Sequence, residues 1–113
     1  MVRYMLERDE RKAIQNVAKA LSWLAKEKVY SPIDVIGDSL SPALRVEALR
    51  RAIRMIASEK PEILPSKEDL ERTIMLLLDE KRGKLVGSIL ASLALASQAS
   101  EKLLEEPPKT GGA

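Results

Sequence analysis

The chain contains no cysteine, no histidine and no phenylalanine. Without Cys there is no disulfide scaffold, no thiolate nucleophile and no Cys-ligated zinc or iron site. Without His, the commonest general base and the commonest metal ligand are both missing. The only aromatic residues are Tyr4, Trp23 and Tyr30. A core must therefore be built from Leu, Ile, Val, Ala and Met, which suits helices packed on helices. Side-chain amides are equally scarce, with Gln15, Asn16 and Gln98 set against a charged fraction of 32%. That balance is the one expected of a thermophile's protein.

Long apolar runs are absent too. A spanning helix needs roughly 20 predominantly apolar residues. The longest uncharged stretch, LVGSILASLALASQAS from Leu85 to Ser100, contains four Ser and one Gln. No membrane association is expected. The opening MVRYMLERDERK is charged throughout and does not read as a signal peptide, so the expected location is the cytoplasm. At 113 residues, the chain fits a single helical domain over residues 1–104. The remaining residues, 105–113, read EEPPKTGGA and are expected to form a disordered tail.

What is present is helical patterning. From about Arg11, Ile14, Val17, Leu21 and Leu24 repeat at three and four, predicting an amphipathic helix to about Lys28. Glu10 would fall on its apolar side, which leaves the state of residues 1–10 open. Ser31-Pro32 and Ser41-Pro42 each combine a polar cap with proline at the first helical position. The first opens a short helix. The second opens a longer one carrying Val46, Leu49, Ile53 and Ile56 on one stripe and Arg45, Arg50, Arg51 and Arg54 elsewhere. Glu47 precedes Arg50 and Arg51 at the spacing of helix ion pairs.

KPEILP breaks the chain. Ser66 and Asp69 then approximate a capping box, and a helix follows to about Arg82 with Gly83 placed to cap its C-terminus. A tight turn there predicts an antiparallel hairpin with the charge-free segment. Read as a helix, that segment has a bulky face of Leu85, Val86, Ile89, Leu90 and Leu93, to which Leu103 and Leu104 return. Its other face is small, with Gly87, Ala91, Ala94 and Gln98. The expected architecture is all-α: a compact bundle of four main helices and one short helix around a central apolar C-terminal helix.

Three kinds of function can be set against this pattern. For catalysis, Asp34 and Asp38 share a face of the short helix, but a metal-bundle enzyme would want Glu and His from facing helices as well. The expectation is a chain that is not an enzyme, with no metal and no cofactor. A protein-interaction module, as a small subunit, adaptor or homo-oligomer, would use Trp23 or the small face of Gly87, Ala91 and Ala94, where a neighbouring backbone can approach within the chain or across a dimer. The alternative is a nucleic-acid-binding accessory subunit. Residues 1–30 carry seven Lys or Arg against four acids, and Lys12, Lys19 and Lys26 line one side of the first helix beside Trp23. Stacking on Trp23 with lysines on phosphates would serve a single strand, with Arg50, Arg51 and Arg54 extending the surface.

Overall fold

The computed structural model describes residues 6–105, and the side-chain surroundings of residues 6–96. The chain is all-α: α1 (Arg8–Lys26), α2 (Ser31–Asp38), α3 (Pro42–Glu59), α4 (Lys67–Leu78) and α5 (Gly83–Glu105), with a short 3-10 turn at Pro61–Ile63. The expected tail lies outside the described residues from 106 onward, and the side chains of Gln98, Leu103 and Leu104 are also outside them. No helix among the described residues is long and apolar enough to cross a membrane.

α1 begins at Arg8, about a turn before the expected start at Arg11. The side chain of Glu10 accepts from the Glu7 N–H at 2.9 Å, and its carboxylate meets the Arg82 guanidinium at 3.2 Å. Glu10 thus sits on the inward side because a cation from the α4–α5 turn neutralises it there. The far end of α1 closes with Lys28 at φ 65°. The Val29 N–H donates to the Leu24 carbonyl at 2.8 Å and the Lys28 N–H to that of Ala25 at 3.0 Å. This is the Schellman arrangement, with lysine where glycine is usual. Replacing Lys28 by Gly should raise stability by about 1 kcal/mol, since only a Cβ opposes that backbone geometry. An unchanged or lowered denaturation midpoint would contradict it.

Ser41 caps α3, accepting from the Leu44 N–H at 3.2 Å, and Ser66 caps α4, accepting from the Asp69 N–H at 3.1 Å. Ser31 does not cap α2, whose flanking residue is Tyr30. α4 ends at Leu78, a turn earlier than its periodicity suggests. Asp79 is the reason. Its Oδ1 accepts from the N–H groups of Lys81 and Arg82, both at 2.8 Å, and the Gly83 N–H donates to its carbonyl. These bonds start the next helix, so Gly83 opens α5 and caps nothing.

They also hold the Asp79 carboxyl below its usual 3.8, the Arg82 and Lys81 backbone N–H groups contributing most. A carboxylate depressed in the folded state stabilises fully above pH 3.8, and loses that contribution as pH falls through the lower folded value. Asp79→Ala should therefore flatten the stability profile below pH 3.8. An acid limb identical to the parent's would contradict this.

The interior is one aliphatic cluster running through all five helices, including Ile14, Leu21, Leu24, Ile33, Ile36, Leu49, Ile56, Leu77 and Leu90. α5 packs mainly on α1 and α2, and α4 mainly on α1. α4 and α5, expected to pair as a hairpin, follow each other across a short turn and touch, and each lies more extensively against α1 than against the other. α4 runs antiparallel to α1, since Glu10 meets Arg82 while Asn16 donates to Asp69 at 2.8 Å.

The inward side of α5 is the small face with Val86 and Leu90. Gly87 and Ala94 are buried, and Ala91 is 8% exposed. Of the bulky face, Leu85 and Ile89 are half-buried and Leu93 is 38% exposed. The inward side of this central helix is thus covered, while the side carrying Leu93 is the more exposed one among the described residues.

Candidate functional site: the groove between α3 and α4

Four helix ends meet at Arg45. Lying four residues before Leu49, this arginine sits within the inward stripe of α3 and is 2% exposed. Its Nη1 donates to the Ser39 carbonyl at 2.9 Å and its Nη2 to the Leu77 carbonyl at 3.0 Å. These oxygens belong to the C-terminal ends of α2 and α4, where orphan carbonyls and the helix dipole both favour a cation. No carboxylate within ion-pair distance accompanies it among the described residues, and its Nε has no hydrogen-bond partner. Charge grouped Arg45 with the outer arginines; its position in the Leu49 stripe was the signal that it points inward.

Glycines let this junction close. A Cβ on Gly87 would clash with the Ile36 carbonyl oxygen and lie 3.0 Å from Arg45 Cδ, while one on Gly37 would lie 2.8 Å from the Ala91 Cβ. The small face of α5 is thus filled by α2 of the same chain. As partner-binding residues, Gly87, Ala91 and Ala94 are placed inside the fold, because the backbone they admit is an internal one.

Trp23, the other residue expected at a protein interface, is half-buried and packs against the core cluster. It lies on the flank of α1 that Asn16 ties to α4. Lys12, Lys19 and Lys26 are exposed along the adjacent outer face, together with Arg8 and Arg11. Arg50, Arg51 and Arg54 are exposed on α3. The two cationic sets do not meet. α4 packs on α1 by one flank and on α3 by the other, and turns Glu68 and Glu71 outward between them. Asp34 and Asp38 are both exposed on α2.

Where α3 meets α4 the surface is concave. Two adjoining hollows share Arg50 and Arg54. One is lined by Ala43, Val46, Glu47 and Leu78, the other by Leu49, Ile53, Leu70 and Ile74. Ala43 and Val46 lie near Leu78 while Ile53 lies near Leu70, so the two helices are antiparallel. The floor is aliphatic, and Leu78 is 45% exposed at its end.

Arg50 and Arg54 stand on the rim, one helical turn apart. The ion pairs that the Glu47 spacing suggests are not formed, and neither arginine has a carboxylate within 4.0 Å among the described residues. A groove with an apolar floor and unneutralised guanidinium groups can bury apolar side chains and bind carboxylates bidentately. Sequence reading marked the arginines but missed the groove. Its floor is shared between two helices whose mutual register no single-helix pattern carries. Comparison with protein-family models, with curated proteins and with solved structures gives no match.

Proposed function

We propose that the chain is a non-catalytic helical interaction module, a small subunit or adaptor that docks another protein in the α3–α4 groove. The observation that supports this reading is Arg50 and Arg54, without an ion-pair partner among the described residues, on the rim of an aliphatic groove. Singly exposed apolar residues are ordinary on a protein surface, but a concave aliphatic strip edged on one side by cations is a form that a partner helix can occupy. With the small face of α5 occupied from within, self-association would have to use another surface.

The test is a photoreactive residue placed at Leu78, with a second at Lys19 as control, exposed to extract of the source cells. The expected result is a discrete protein adduct from position 78 that is lost when Arg50 and Arg54 are both changed to Glu. Adducts confined to position 19 would overturn it.

A second reading, nucleic-acid binding along α1, has one observation in its favour: no acid stands between Arg11 and Lys26. Salt-sensitive quenching of Trp23 by a single-stranded oligonucleotide would support it over docking.

A further inference from the structure

We infer that the occupant of the α3–α4 groove is an amphipathic helix of a partner protein, carrying carboxylates one turn apart; this rests on the docking reading above. The groove runs along α3 from Ala43 to Arg54, about 16 Å at 1.5 Å per residue, which accommodates about three helical turns. Its floor offers Val46 and Ile53 from one helix and Leu70 and Ile74 from the other, a two-walled seat for apolar anchors at helical spacing.

Charge then selects the occupant. Arg50 and Arg54 require carboxylates at a spacing of three or four, and Arg is the side chain that holds carboxylates in a fixed fork. Glu47 lines the end nearer Leu78 and rejects an acid there, so the charge pattern also sets which way the helix lies. A nucleic-acid strand fits less well, because its phosphates would leave the aliphatic floor uncovered and face Glu47.

The experiment is a displayed library of helical peptides selected against the full chain. Leu is fixed at heptad a and d positions, and Glu, Lys, Gln and Ala vary elsewhere. Enrichment of Glu at two positions three or four apart is expected. Binding of the selected peptides should weaken at least about tenfold in an Arg50→Glu/Arg54→Glu variant. Both arginines and Leu78 are exposed, so these variants should keep the parent's circular dichroism.

Selected peptides without acid enrichment, still abolished by Leu78→Glu, would overturn the inference and leave the groove as a docking surface. Peptides indifferent to Leu78→Glu, or no selected peptides, would remove both readings. A library outcompeted by the chain's own self-association would overturn the partner helix in favour of a second copy.

Discussion

Gly87→Ala should destabilise the protein by about 3 kcal/mol, the upper part of the range for forcing extra volume into a packed interior. The sign is the informative part, because alanine in place of glycine within a helix ordinarily gains about 1 kcal/mol. Here the added methyl would strike the Ile36 carbonyl oxygen, a backbone atom with no rotamer to change. Moving α2 away would separate Gly37 from Ala91 and Ile36 from the core. The expected observation is a lower urea midpoint with an unchanged slope. A stabilised variant would show that α2 and α5 are not in this close contact. The neighbouring pair gives an internal check. Gly37→Ala puts its methyl against that of Ala91, and adding Ala91→Gly should restore part of the loss, a coupling that a double-mutant cycle isolates.

Arg45→Met should also lower stability, by about 3 kcal/mol, although two effects oppose each other. Burying a guanidinium without a carboxylate is costly, and replacing buried ions by apolar residues is often neutral or favourable. Against that, hydrogen bonds to charged groups contribute about 1.5–3 kcal/mol each, and a buried acceptor left alone adds its own penalty. Methionine can fill the path of the arginine stem but leaves the Ser39 and Leu77 carbonyls at two helix ends without their donor. Two lost bonds outweigh the relief of desolvation, even with Nε unpartnered. Arg45→Lys should fall between, since one ammonium cannot replace a fork that spans both oxygens. An Arg45→Met variant as stable as the parent would mean that desolvation decides, and that the junction is held by the glycine contacts alone.

The two variants show how far the sequence can be read. Helix identity was legible because apolar spacing and Ser-Pro starts are local signals, and α3 begins where Ser41-Pro42 places it. α1 started early because Glu10 is neutralised by Arg82 from a distant turn, an effect no local window contains. α4 stopped early because a single side chain, Asp79, captured the N–H groups of Lys81 and Arg82; lysine, arginine and glycine in succession imitated a helix C-terminus.

The inward side of α5 straddles the two faces read from the sequence, taking Val86 and Leu90 from the bulky one along with the small residues, because it depended on a partner that could come close. Gly37, in a short helix that seemed incidental, supplied it. The candidate site was legible only as separate parts. Arg50 and Arg54 stood out as cations, while their meeting with Leu70, Ile74 and Leu78 required the antiparallel register of α3 and α4. Lys12, Lys19 and Lys26, read as a cationic stripe beside Trp23, are exposed on α1, and α4's outward acids lie between them and the arginines.

The central claim is that α5 spends its small face inside its own chain, which removes that face from the surfaces a partner can use. Nuclear Overhauser effects between the Ala91 methyl and the Gly37 α-protons test this most directly, recorded on the labelled chain alone and then isotope-filtered on a mixture of labelled and unlabelled chains. The account expects the contact in the first spectrum and its absence from the filtered one. A contact seen only in the filtered spectrum would place the small face between two copies of the chain and contradict the claim.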